Sequence, residues 1–236
     1  MIVVAAVALS AAAAPASAYA AAPRVDVRVV YPPNGEYDQK TAIKAAATTV
    51  RVGSRRCAVG AGTPLAALVR LVGRQAHVRD YGSCSKRARD AAGLYVLSIG
   101  GDRAKGMNGW VYKVGQKVAP AGAGDPSGPF GRGRLKTGDR VTWFYCRMRR
   151  STGGCQRTLG LKAEPLGDGQ VRVTVRSYND SGRSKPAANV LAQSGDTGAR
   201  TDAKGVATLT LPPGFARVHA EAPGLVRSFE EPVEVR

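Results

Sequence analysis

Apolar residues recur at every second position in short runs cut off by glycine, proline and acidic turns, and a period of two builds strands rather than helices. Val25, Val27 and Val29 alternate with charged residues until Pro32-Pro33-Asn34-Gly35 ends the run. The same pattern predicts strands over Thr48 to Val52, His77 to Tyr81, Leu94 to Ile99 and Gly109 to Val114. Gly115-Gln116 then turns into Lys117 to Ala119, and after a glycine-rich loop, Ala121 to Gly133, the turn at Lys136-Thr137-Gly138-Asp139 feeds a strand from Val141 to Cys146. Only one stretch has helical spacing. Thr63 is placed as N-cap and Pro64 as first helical residue; Leu65, Leu68, Val69 and Val72 form one stripe, and Gly73 stops the helix. So short a helix must pack against a sheet.

Beyond residue 170 the pattern is all strand and turn. Val171, Val173 and Val175 alternate, Asn189 to Ala192 follows, and Thr201 to Gly205 turns into Val206 to Leu211. Pro212-Pro213-Gly214 then turns into Phe215 to Ala220, and about seventy residues of this kind predict a small β-sandwich. The fold class is therefore mainly β, an α+β first domain followed by an all-β second.

Met1 to Ala22 contains no Asp, Glu, Lys or Arg and runs from apolar residues into Ala-Ser-Ala and Ala-Tyr-Ala, which reads as an export signal cleaved near Ala20. A membrane anchor is the competing reading, but the run is dominated by alanine. The expected destination is secretion or the cell envelope. Cys57, Cys84, Cys146 and Cys155 are even in number, as expected of a chain folded in an oxidising compartment. Of three connectivities we favour Cys146 with Cys155, closed by a hairpin, which leaves Cys57 with Cys84. A zinc site is the weaker alternative, since no CxxC pair exists and neither His77 nor His219 stands at ligand spacing.

Glu164-Pro165-Leu166-Gly167-Asp168-Gly169 reads as a linker between a first domain, 23–163, and a second, 170–236. The formal net charge of +18 falls on one side of it. Residues 23–163 hold 26 Lys or Arg against 8 Asp or Glu, whereas 164–236 hold nine of each. For an exported protein this predicts attraction to anionic wall polymers, acidic glycans or lipid headgroups. Coding bias toward arginine explains the excess as readily. Arg147, Arg149, Arg150 and Arg157 form the densest local patch, and nothing around them suggests nucleic-acid recognition.

Catalytic constellations are missing. There is no GxSxG nucleophile elbow, no P-loop or dinucleotide fingerprint in the glycine-rich segment, and the two histidines fall in different domains. His77 and His219 are both expected to be surface or half-buried residues. Asp139 is expected to serve a turn, its carboxylate accepting from backbone amides. We therefore expect no enzyme, no metal and no bound cofactor.

Strand alternation places Trp143 and Tyr145 on one face of their strand with Val141, and Trp110 and Tyr112 on one face of theirs. Two such pairs make either core or a ligand platform. The motifs Asn108-Gly109-Trp110-Val111-Tyr112-Lys113-Val114 and Lys136 to Tyr145, with Pro120 to Gly124 between them, resemble the C-terminal β-domain of transcobalamin and intrinsic factor, shared with bacterial secreted proteins of unassigned function. That resemblance implies a β-grasp-like domain with one helix against a sheet, binding a soluble ligand. It makes Trp110, Tyr112, Trp143 and Tyr145 candidate contacts for a corrinoid such as cobalamin. Gly115-Gln116 departs from the Asn-Gly turn typical of that family. Residues 201–226 resemble the carboxypeptidase-regulatory or immunoglobulin-like sandwiches appended to exported proteins, which are spacers or adhesive units. The expectation is a secreted, non-catalytic binding protein for a small soluble ligand; the alternative is an adhesion or structural protein drawn to anionic polymers.

Overall fold

The structure is a computed structural model that describes residues 21–32, 36–149, 151 and 153–236. The expected export signal and Arg150 therefore lie outside the described residues. The chain is mainly β, 49% strand, with one α-helix among the described residues. In the N-terminal unit β1 (Arg24–Val30), β2 (Tyr37–Lys44), β3 (Thr48–Val52) and β4 (Arg55–Val59) precede α1 (Pro64–Val72). Then come β5 (Ala76–Asp80), β6 (Leu94–Ile99), β7 (Asp102–Arg103), β8 (Gly109–Val114), β9 (Lys117–Val118) and β10 (Arg140–Cys146). The central sheet runs β2-β1-β10-β8-β9, with β1 and β10 parallel and every other pair antiparallel.

That order joins two hairpins through parallel inner strands and puts the intervening helix on one face, the arrangement expected of a β-grasp-like sheet. Thr63 caps α1: its Oγ1 accepts from Ala66 N at 3.2 Å and donates to the Gly60 carbonyl at 2.8 Å. Gly73 ends the helix at φ 58°, where a side chain would be strained. Leu65 and Leu68 of α1 join Val25, Val27 and Val29 of β1 and Val141 and Trp143 of β10 in one core. Two short sheets, β3-β4 and β5-β6-β7, complete its wall.

The C-terminal unit holds β11 (Thr158–Gly167), β12 (Gln170–Tyr178), β13 (Ser184–Pro186), β14 (Leu191–Ser194), β15 (Thr197–Arg200), β16 (Val206–Thr210), β17 (Gly214–Glu221) and β18 (Glu231–Val235). One sheet pairs β12 with β11, β13 and β16, and the other runs β15-β14-β17-β18. Val171, Val173 and Val175 of the first share a core with Ala192, Val218 and Val233 of the second, so two sheets face one apolar interior.

One boundary is corrected. Glu164-Pro165-Leu166, expected in a linker, is the end of β11, and Gly167-Asp168-Gly169 turns it into β12. The composition of a linker arises here because β11 is an edge strand, which tolerates a proline that a central strand does not. The units meet earlier, between Cys146 and Thr158.

Both expected disulfides are present, Cys57 to Cys84 with Cα atoms 5.4 Å apart and Cys146 to Cys155 at 5.1 Å. They fit an oxidising, extracellular-type environment. No helix among the described residues is long and apolar enough to cross a membrane.

The central sheet is covered on both faces. Its second face carries Arg28, Val30, Lys113, Thr142 and Phe144, and the C-terminal unit lies over it through Thr158, Tyr178, Val226 and Phe229. Val30, Phe144, Cys146 and Val226 form a small apolar cluster joining the two units.

Candidate functional site

The four aromatic candidates do come together. Register pairs Trp143 with Tyr112 and Tyr145 with Trp110 across β10 and β8. The rings of Tyr112 and Trp143 lie 5.0 Å apart and tilted, and those of Trp110 and Tyr145 meet edge-on at 5.8 Å. They face the core rather than solvent. Trp110 is 3% exposed and Trp143 1%. Trp110 Nε1 donates to the Asp102 carbonyl at 2.8 Å, and Tyr112 Oη donates to the Ala121 carbonyl at 2.8 Å. Burial pushes the Tyr112 phenol well above its ordinary range. Tyr145 is half-buried and donates to the Arg103 carbonyl at 3.1 Å. Trp110, Tyr112 and Trp143 border a cavity of about 160 Å³, below the ~300 Å³ at which small-molecule sites begin. A corrinoid does not fit it.

The arginine patch expected around Cys146–Cys155 is divided. Arg147 and Arg149 are exposed. Arg157 is not free: its Nε donates to Ser177 Oγ at 3.0 Å, and its Nη2 to the carbonyls of Ser177 and Arg183 at 2.6 and 3.0 Å. It anchors the C-terminal unit, which sequence spacing does not reveal.

A larger basic surface gathers around the other disulfide. On the β3-β4 hairpin Arg51 stands opposite Arg56, both exposed, beside the buried pair of Val50 and Cys57. Cys84 ties β4 to the loop between β5 and β6, and Ala58 N donates to the Ser85 carbonyl at 2.9 Å, so Lys86, Arg87 and Arg89 lie against that hairpin. Residues 51–90 hold nine Lys or Arg and two Asp. Both carboxylates are engaged within the cluster. Asp80 accepts from the amides of Gly82 and Cys84 at 2.9 and 3.1 Å and from Arg55 at 3.2 Å, and those amides hold its carboxyl below the ordinary value. Asp90 accepts from Ser85 Oγ at 2.5 Å and pairs with Arg89 at 3.5 Å.

Arg134 carries this surface onward. It bonds the carbonyls of Ala61 and Pro126, each at 3.2 Å, and a methyl group placed on Gly60 would lie 3.6 Å from both its guanidinium carbon and Ala88 Cβ. Past it opens a groove of about 600 Å³ lined by Lys117, Arg132, Lys136 and the exposed Phe130. Asp139 is the acidic residue there, and as expected its carboxylate serves the turn, accepting from Lys136 N at 2.7 Å.

No known protein family, curated protein or solved structure matches the chain. No group of His, Cys, Asp or Glu able to hold a metal occurs among the described residues. His77 is exposed, as expected. His219 is buried, contrary to expectation: it alternates with the core-facing Val218 and Ala220, and on the opposite face of β17 it is covered among Gln193, Glu221 and Arg227. Burial and the nearby Arg227 guanidinium lower its pKa to about 4, so the ring is neutral at physiological pH.

Proposed function

We propose that this protein is a non-catalytic binding module of the extracellular environment or cell envelope that attaches to anionic polymers through its N-terminal unit. The observation that carries the reading is the continuous basic surface from Arg55 and Arg56, past Lys86 to Arg89 and Arg134, into the groove of Lys117, Arg132 and Lys136. Its carboxylates are occupied by backbone amides, a hydroxyl or neighbouring arginines, so the positive potential is left for a partner. The groove has the form of a track rather than an enclosed pocket, which suits a chain of repeated phosphate or carboxylate groups. Exposed Phe130 in the groove and Tyr81 beside Arg79 offer apolar faces against which sugar rings pack.

Co-sedimentation with an insoluble polymer tests this reading. The protein is expected to pellet with a phosphodiester-rich wall polymer and not with a neutral glucan. Retention should fall at least ~10-fold between about 50 mM and about 500 mM salt, because solvent-exposed charges are screened within a few ångströms at the higher value. Lys117→Gln/Arg132→Gln/Lys136→Gln and Lys86→Gln/Arg87→Gln/Arg89→Gln should each weaken retention, and their combination should abolish it. Retention that ignores both salt and these changes sinks the proposal. Retention of cobalamin in equilibrium dialysis would point instead to the small-ligand reading.

A further inference from the structure

Arg28 is 1% exposed and has one hydrogen bond, from Nη2 to Thr142 Oγ1 at 3.2 Å. Its Nε and Nη1 are buried and have no acceptor among the described residues. A buried guanidinium normally carries a carboxylate partner, since desolvating an unpaired charge is among the costliest things a fold can do. Here the neighbours are mostly cations. Arg28 and Arg140 both stack on the Phe229 ring, their guanidinium carbons 4.3 and 4.1 Å from its centroid. Burial first, then the charges of Arg140 and Arg227, hold Arg28 well below the ordinary arginine value. Glu231 is near, but its Oε1 accepts from Arg140 Nη1 at 2.7 Å, and Asp26 lies 3.9 Å from Arg140 Nε.

Arg28 lines a cavity of about 310 Å³ between the central sheet and the C-terminal unit. Around it stand Arg140, Lys162, Arg176, Tyr178 and Glu231, four cationic side chains with Arg28 against one carboxylate. The cavity is at the lower end of the ~300–1,000 Å³ typical of small-molecule sites. We propose that it is a specific site for one small tetrahedral oxyanion, phosphate or sulfate, either free or as the terminal monoester of a small molecule. The anion would accept from Arg28 Nε and Nη1, which lack partners, and from the exposed Lys162 and Arg176 at the mouth, which now pair with Glu164 and bond Ser184 Oγ, respectively. Since β1 and β10 contribute from one unit and β11, β12 and Phe229 from the other, the anion would also pin the two units together. This site is separate from the basic groove, and either can fail without the other.

Isothermal titration and thermal unfolding of the whole chain with inorganic phosphate, sulfate, glycerol 3-phosphate and chloride at matched ionic strength test it. Phosphate or sulfate is expected to saturate at one site per chain and to raise Tm, while chloride does neither. Arg28→Met should weaken phosphate binding at least ~10-fold, and Lys162→Gln/Arg176→Gln, at exposed positions that do not threaten folding, at least ~3-fold. Lys117→Gln/Arg132→Gln/Lys136→Gln should leave it unchanged. If Arg28→Met does not fold, the Lys162/Arg176 pair decides. Binding of glycerol 3-phosphate as tight as phosphate marks a monoester site, and binding of phosphate alone a free-anion site. A non-saturating response, one reproduced by chloride, or wild-type affinity in both mouth and Arg28 variants overturns the proposal.

Discussion

Lys113 Nζ, on the sheet of the N-terminal unit, donates to the Asn179 carbonyl of the C-terminal unit at 2.9 Å. It also reaches the Tyr178 carbonyl at 3.2 Å and Thr158 Oγ1 at 3.1 Å, so one buried ammonium spends its three donors on the facing unit. Burial lowers its pKa from 10.5 to about 8, despite the opposing charge of Asp180. Between those values the unfolded chain binds the extra proton, so stability rises as pH rises through that window. The rise is measurable from about pH 8 to about pH 10, before tyrosines of the unfolded chain ionise. Lys113→Met should abolish that slope and, by removing three hydrogen bonds between the units, lower stability at neutral pH by ~1–3 kcal/mol. Urea unfolding at several pH values reads both effects, and an unchanged alkaline slope in the variant would refute the assignment.

His219 sets an acid limit. Its folded pKa of about 4 lies below the ordinary 6.5, so stability is full above the higher value and is lost as pH falls toward the lower one. The loss across that interval amounts to about 3 kcal/mol at 1.36 kcal/mol per pH unit. Gln193 Nε2 lies 2.9 Å from His219 Nε2, so an amide donor there requires the unprotonated ring. His219→Gln should flatten the curve from about pH 6.5 to about pH 4.5, where most carboxylates are still ionised. Thermal unfolding across that range, compared with the native chain, would show whether the histidine is responsible.

The parts that sequence reveals and the parts that it hides differ in what covers them. Thr63, Pro64 and Gly73 define α1 by local chemistry alone, and the alternation at Gly109–Val114 and Val141–Cys146 places the tryptophans correctly on one face. β2 is invisible to that reasoning because its sequence, Tyr-Asp-Gln-Lys-Thr-Ala-Ile-Lys, belongs to an exposed edge strand with an irregular register between Val25 and Val27 of its partner. Arg28 and Lys113 alternate with core residues and so read as solvent positions. Their burial depends on a second unit whose arrival over that face leaves no trace in local pattern. The basic surface was hidden for another reason: Arg56, Arg87 and Arg134 are far apart in sequence and are gathered by a disulfide and by packing at Gly60.

The two disulfides should separate stability from binding. Chain-entropy reasoning assigns ~3.5 kcal/mol to Cys57–Cys84 and ~2.7 kcal/mol to Cys146–Cys155, because the first closes the longer loop, 27 residues against 9 in separation. Cys57→Ser/Cys84→Ser should therefore lower Tm more. It also frees Lys86, Arg87 and Arg89 from the β3-β4 hairpin, so polymer retention should drop several-fold. Cys146→Ser/Cys155→Ser should lower Tm while leaving retention nearly intact. Equal losses of retention in both variants would place the binding surface elsewhere.

Trp110 and Trp143 distinguish a packed core from a ligand platform by their hydrogen bonds. Trp110 Nε1 is satisfied by the Asp102 carbonyl, whereas Trp143 Nε1 is buried with no partner among the described residues. Replacing either by phenylalanine removes volume and costs stability. Only at Trp110 does the change also remove an indole hydrogen bond, a loss of ~0.5–1.5 kcal/mol. At Trp143 it removes an orphaned donor and so offsets part of the packing loss. Trp143→Phe should accordingly be the milder variant, and Trp110→Ala or Trp143→Ala should each cost ~3–5 kcal/mol. Because the chain has two tryptophans, each phenylalanine variant leaves a single indole, whose blue-shifted emission reports its own burial during urea unfolding. A platform would behave in the opposite way: alanine at either position would barely change stability and would instead erase ligand binding.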